Sequence, residues 1–153
     1  MIKISKHITY REAIRSEYAI RKGVDNIPSC IELDAMREVA INIFEPVREW
    51  VGGPVFVSSF FRNGRVNRGV GGSSRSQHMR GQAIDMDMDI FGGKTNAQVF
   101  RWIKKNLDFD QLIAEAVTPD GKMRWVHCSY KKIGENRQQV LGMRVVNGKP
   151  IYF

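Results

Sequence analysis

Apolar residues follow two different rhythms along this chain. From Leu33 to Val47 they recur three and four apart, at Leu33, Met36, Ala40, Ile43 and Val47, which lines them up on one side of an α-helix and predicts a single core helix running to about Trp50. Ser29 and Glu32 precede it at the spacing of a capping box, in which each side chain satisfies the other's free backbone donor. Pro46 should bend this helix or interrupt its hydrogen bonds, and Gly52-Gly53-Pro54 ends it. The same capping spacing at Thr9 and Glu12 predicts a short helix from about Tyr10, closed by Gly23 and Asp25-Asn26-Ile27-Pro28. At Thr95 and Gln98 it predicts another, reaching about Asn106, with Phe100, Ile103 and Leu107 on one side.

The second rhythm has a period of two. Residues 83–90 alternate strictly, so a strand there turns Ile84, Met86, Met88 and Ile90 toward the core and Asp85, Asp87 and Asp89 to the opposite face. The β-branched and aromatic run 55–61, just after Pro54, reads as a buried strand. Two further strands, 109–117 and 124–130, are joined by a turn at Pro119-Asp120-Gly121, and Asn147-Gly148 within 145–151 suits a tight hairpin. Between these elements, 62–75 is a glycine- and arginine-rich loop. Helices come first and then mostly antiparallel strands with one helix among them, which is an α+β class with N-terminal helices packed on the sheet. A chain of this length suits one domain over 1–153, with no linker or repeat.

Composition narrows the classes. A hydrophobic share of 42% with 26% charged residues is that of a soluble globular protein, and no apolar run approaches the roughly 18 residues of a membrane span. The N-terminus lacks an apolar stretch followed by a cleavage site, so no secretory signal is expected and the protein would be made in the cytoplasm. The net charge of +8 points to a polyanionic partner, for which nucleic acid, an anionic membrane surface and a bacterial cell wall all qualify. Cys30 and Cys128 are too far apart in sequence to form a metal or redox motif, and are read as unpaired, largely buried thiols.

Of the three histidines, His7 stands apart from any motif and is read as structural or exposed. His78 lies in Ser76-Gln77-His78-Met79-Arg80-Gly81-Gln82-Ala83-Ile84-Asp85. There Gly81 allows the chain to turn sharply, so that a loop imidazole can swing back over the carboxylate of Asp85. In Trp125-Val126-His127-Cys128-Ser129-Tyr130, alternation sends Val126 and Cys128 to the core and His127 to the other face. Two imidazoles and a carboxylate with a free fourth position are the ligand set of a catalytic zinc site. Asp87 and Asp89 are read as a solvated acidic face.

The pattern S-x-H-x-x-G-x-A-x-D, formed by Ser76, His78, Gly81, Ala83 and Asp85 and followed by Trp125-Val126-His127, resembles the zinc D-alanyl-D-alanine carboxypeptidase family and its phage endolysin relatives. Ser59-Phe60-Phe61-Arg62 and Asn67-Arg68-Gly69-Val70-Gly71-Gly72-Ser73 are similar to another of that family's segments. Ser16-Glu17-Tyr18-Ala19, Asn26-Ile27-Pro28 and Phe109-Asp110-Gln111-Leu112-Ile113 with Glu115 resemble its small peptidases that lack a separate wall-binding domain. The resemblance implies a Hedgehog-like α+β fold, one Zn2+ held by His78, Asp85 and His127, and hydrolysis of peptidoglycan stem peptides by a monomer acting on the wall after release, as a phage, prophage or virion enzyme would. It gives Arg62 the grip on a substrate carboxylate or oxyanion, a role that suits a forked guanidinium. Ser76 and Gln111 are expected to help hold substrate. The chain departs from the pattern at Arg124, where carboxypeptidase branches carry an acid three positions before the second histidine. Arginine cannot accept a proton, so Glu115 is the expected general base. Two other readings remain at this point. One is a zinc-containing wall-binding domain without catalysis, favoured by Arg124. The other is a nucleic-acid-binding module using Arg62, Arg65, Arg68, Arg75 and Arg80, although no phosphate-cradling motif accompanies them.

Overall fold

Helix starts are where the capping pairs place them. In the computed structural model, which describes residues 1–153, Thr9 and Glu12 form the reciprocal box at the start of α1 (Tyr10–Ala13). That helix does not continue to Gly23. It breaks after one turn, and Ser16 caps a separate α2 (Glu17–Lys22) that Gly23 ends in the left-handed conformation. Ser29 and Glu32 box the start of α3 (Cys30–Val39), which runs into a π-helical turn (Ala40–Phe44) and then α4 (Glu45–Val51). The single helix expected over this stretch is therefore interrupted by a wide turn just ahead of Pro46. Pro46 has no N–H to give and its ring crowds the carbonyl four residues back. The wide turn, in which the Glu45 N–H reaches the Ala40 carbonyl, takes up that mismatch.

β1 (Phe56–Ser59) follows, shorter than the run 55–61 that predicted it. The segment expected to be loop contains α5 (Gly64–Gly69), started by the Asn63 side chain accepting from the Val66 N–H. A 3₁₀ turn (Gln77–Arg80) then leads into β2 (Ala83–Asp87). β2 ends three residues short of expectation because the chain turns at Met88, whose carbonyl accepts from the Gly92 N–H. Ile90, expected inside, is consequently 55% exposed. After α6 (Asn96–Asn106), opened by the Thr95–Gln98 box, come β3 (Gln111–Glu115), β4 (Trp125–Ser129), β5 (Gln139–Val146) and β6 (Lys149–Tyr152). The final hairpin turns at Asn147-Gly148, both at positive φ (51° and 74°), as a two-residue hairpin turn requires. Its first strand begins well before the residues that signalled it.

The six strands form one sheet in the order β1-β2-β4-β3-β5-β6. All neighbours are antiparallel except β3 and β5, which are parallel. One face of the sheet, with Ile84, Met86, Leu112, Val126 and Cys128, packs on Met36, Val39, Ile43 and Val47 of the long interrupted helix and on Val99 and Ile103 of α6. Trp50 stacks on Trp102 with ring centroids 5.0 Å apart, joining α4 to α6. Cys128 is buried, but Cys30, expected to be buried too, is exposed at the first residue of α3. Alternation leaves the opposite face of the sheet to Asp85, His127, Ile113 and Glu115. No helix is long and apolar enough to cross a membrane.

Gly81 joins the two halves of this arrangement. It ends the 3₁₀ turn at φ 68°, and a Cβ there would lie 2.5 Å from the Glu32 backbone oxygen and 2.8 Å from Met36 Cγ. Both the left-handed conformation and the close approach to α3 exclude a side chain. Gly81→Ala should destabilise the protein by about 2 kcal/mol or more, read as a lower urea midpoint at unchanged slope.

Candidate metal centre

The register of the sheet builds the first half of the site, since β2 and β4 pair with Asp85 directly opposite His127. Side chains opposite one another share a face, and Nδ1 of His127 lies 2.9 Å from Asp85 Oδ1. The 3₁₀ turn supplies the other half by folding His78 over the same carboxylate, with Nε2 3.3 Å from Oδ2. The two imidazole centroids are 5.1 Å apart. All three residues are buried, His78 to 2% exposure.

The protonation of His78 is dictated by its other nitrogen. Nδ1 lies 2.6 Å from the Phe60 carbonyl oxygen, and because a carbonyl only accepts, Nδ1 must carry the hydrogen. Burial pushes the His78 pKa down despite the charge of Asp85, favouring the neutral ring, whose Nε2 is then a bare lone pair. That lone pair faces a carboxylate oxygen. Burial tends to raise the Asp85 pKa, but His78 and His127 hold it well below the usual carboxylate range, so the oxygen is ionised. Two such atoms, this close and buried, are satisfied by a shared proton or by a metal ion between them. One donor atom from each of His78, Asp85 and His127 lies within 4.8 Å of the others, and two imidazoles with one carboxylate are a set that divalent transition metals accept. The residues fit such an ion.

Arg62 approaches from the β1 side. It is half-buried, and its guanidinium donates to Ser59 Oγ (3.1 Å), Asn67 Oδ1 (3.3 Å) and Ser76 Oγ (3.4 Å) without forming an ion pair. Burial lowers its pKa, while the charges of Asp85 and Glu115 work the other way. Ser76 Oγ also accepts from the His78 N–H, so this serine orients both the arginine and the turn. Glu115, at the end of β3, is buried with no hydrogen-bond partner for its carboxylate. Burial pushes its pKa up to about 7, with Asp85 adding to the rise and His127 and Arg62 opposing it. Gln111 shares the Glu115 face, but its amide is engaged with Gln139 Oε1 at 2.7 Å. Arg124 is exposed, and its backbone N–H donates to the Glu115 carbonyl.

The family model described as Peptidase M15 matches residues 6–129, a span that includes every residue of this site. The chain belongs to the peptidase M15 family. No curated protein matches it.

Several groups of this M15 peptidase site were given no role from the sequence, although Asn67 and Asp110 lie in segments that carry the family resemblance. The Phe60 carbonyl is backbone, and no side-chain pattern reveals it. Asn67 is buried at 1% exposure, where its amide donates to the Ser73 carbonyl and its oxygen accepts from Arg62. Its part in holding Arg62 emerges only once the loop is folded around it. Asp110 is also fully buried. Burial raises its pKa, but Arg137, Gln77 and Lys131 hold it well below the ordinary range, tying the start of β3 to the turn that carries His78.

Replacing His78 with Ala should lower the affinity for a divalent metal by about a hundredfold or more, measured by calorimetric titration of metal-free protein that remains folded by circular dichroism. A second expectation concerns Glu115 in metal-free protein. Folding raises its pKa from 4.5 to about 7, so its favourable contribution is complete below pH 4.5 and is lost as pH rises through about 7. Glu115→Gln cannot titrate, and should therefore gain stability relative to the parent between those limits, on the order of 2–3 kcal/mol at pH 8. Urea unfolding at several pH values measures this, and a difference that does not vary with pH counts against a buried acid.

Proposed function

We propose that this M15 peptidase is a zinc-dependent hydrolase of peptide bonds in bacterial peptidoglycan stem peptides, of the D,D-carboxypeptidase or endopeptidase type or the L-alanyl-D-glutamate endolysin type. The observation that carries this reading is the lone pair of His78 Nε2 fixed against the ionised Asp85, with His127 beside it and an unpaired carboxyl, Glu115, on the same face. M15 peptidases are zinc-dependent, and two imidazoles with one carboxylate are the ligands of catalytic rather than structural zinc. The ion would be held by His78, Asp85 and His127, and supplies Lewis acidity toward water and toward a carbonyl group.

The protein's own groups account for the rest. Glu115 has a pKa close to neutrality, which suits a group that must take up a proton and then give it back. It removes a proton from water as the oxygen bonds to the carbonyl carbon, and returns it to the departing nitrogen as the C–N bond breaks. Arg62, held by Ser59, Asn67 and Ser76, would offer its remaining N–H donors to an oxygen that gains negative charge or to a substrate carboxylate. The net charge of +8 favours approach to a wall rich in carboxylates and phosphates. The enzyme is proposed to act as a monomer on the wall after release from the cell that makes it.

Digestion of purified sacculi, with the new termini identified by mass spectrometry, should show newly freed amine and carboxylate ends in the stem peptides. Glu115→Gln should lower kcat by about 10²- to 10⁴-fold while still binding one equivalent of zinc. Sacculi left intact by zinc-loaded protein would remove the proposal.

A further inference from the structure

Residues 139–153 lie beyond the span matched by the family model, yet they complete the sheet on the Glu115 side. β3 and β5 run parallel with Ile113 opposite Leu141 and Ala114 opposite Gly142; Met143, two residues past Leu141, shares its face, its carbonyl accepts from the Val117 N–H just beyond Glu115, and it is directly opposite Tyr152 on β6. On its other flank Glu115 is opposite Trp125. Opposed residues share a face of a sheet. Trp125, Glu115, Met143 and Tyr152 therefore form one row across the face that carries Asp85 and His127.

The row has a distinct chemistry. Met143 is buried and fills the floor, whereas Tyr152 is 53% exposed and its hydroxyl has no partner within the protein. Its phenol is close enough to the site for burial and the carboxylates of Glu115 and Asp85 to push its pKa up, which keeps the hydroxyl a donor. The hairpin behind it is firmly seated. Gly142 and Phe153 exchange both backbone hydrogen bonds, at 2.7 and 2.9 Å. The Phe153 ring lies where a Cβ on Gly142 would come within 2.6 Å of it, and the Arg144 guanidinium sits 5.6 Å from the centre of the same ring. Tyr152 is thus presented from a strand paired along its length to β5. Arg62 stands on the β1 side of the acids and Tyr152 on the β6 side, so donors flank the carboxylates on both sides.

We propose, building on the reading of this site as a stem-peptide hydrolase, that the β5–β6 hairpin forms one wall of the substrate cleft and that Tyr152 is a substrate-binding residue whose hydroxyl donates a hydrogen bond to an oxygen of the bound peptide. Stem peptides offer amide carbonyls and carboxylates along their length, and each is an acceptor for a hydroxyl that donates to no group of the protein. The variant Tyr152→Phe keeps the ring and removes only the donor.

With soluble muropeptides released from sacculi by a muramidase, zinc-loaded Tyr152→Phe should show KM raised about tenfold, the worth of one hydrogen bond to a charged or strongly polar partner, with kcat within about threefold of the parent. Calorimetric affinity of the metal-free variant for the same muropeptides should fall by the same factor, with thermal midpoint and zinc stoichiometry unchanged. A parent that cleaves muropeptides alongside a variant of equal KM and affinity overturns the hairpin proposal and leaves the hydrolase reading standing. A parent that neither binds nor cleaves them overturns the hydrolase reading, and the hairpin proposal falls with it.

Discussion

The Phe60 carbonyl accepts the Nδ1 proton of His78 at 2.6 Å, and the rest of the site follows from that bond because it leaves Nε2 as a lone pair directed at Asp85. Much of the N-terminal half of the chain serves to keep those two groups in place. The Arg62 N–H donates back to the His78 carbonyl, and the Phe61 N–H donates to Ala13 at the end of α1. The buried Asn26 amide bridges the carbonyls of Ile14 and Phe61, while its oxygen accepts the Asn63 N–H. The segment leaving β1 is therefore anchored on several sides before it reaches the site. A ligand held this way pays little ordering entropy when an ion arrives.

Asp85 and Glu115 lie on the same face of the same sheet, and their surroundings drive them apart. Asp85 sits between two imidazoles and is held ionised. Glu115 is buried without a hydrogen bond and is pushed toward neutrality. Two carboxyl groups separated in this way can divide their work, one as a fixed anion and one as a group that exchanges protons. This local division depends on burial and on which neighbours each acid has, Arg62 among them, rather than on the net charge of +8.

Periodicity carried most of what the sequence disclosed. Strict alternation placed Asp85 and His127 on the face away from the core, and the capping pairs placed the starts of α1, α3 and α6, because both signals depend on residues a few positions apart. The convergence of His78 on Asp85 was legible through Gly81, whose φ of 68° permits the turn. The second reason for that glycine, the Glu32 carbonyl 2.5 Å from where a Cβ would be, was not legible, since it arises between segments far apart in sequence. α5 was missed for a local reason, since its glycines and arginines give no apolar stripe although Asn63 supplies the cap. Pro46 did signal the interruption of the long helix, whereas the early start of β5 was hidden, because its parallel pairing with β3 has no local signature. Ile90 was misplaced because the alternation runs on past Asp87, where β2 ends, and Cys30 because free thiols are usually buried whereas this one opens α3 in the open.

The two borders of the sheet bear on how any peptide is held. β6 is an outermost strand, and Pro150 lies within it. Gly142 and Phe153 exchange both ladder bonds, and counting along the hairpin from that pair turns the Pro150 nitrogen outward, where it has no hydrogen to offer. At the far side β1 has only four residues and a bulge between Val57 and Ser59. Neither margin is a good template for an added strand. A peptide settling on this protein is thereby steered away from lengthening the sheet at its rim and toward lying across the face, where side chains rather than backbone must recognise it.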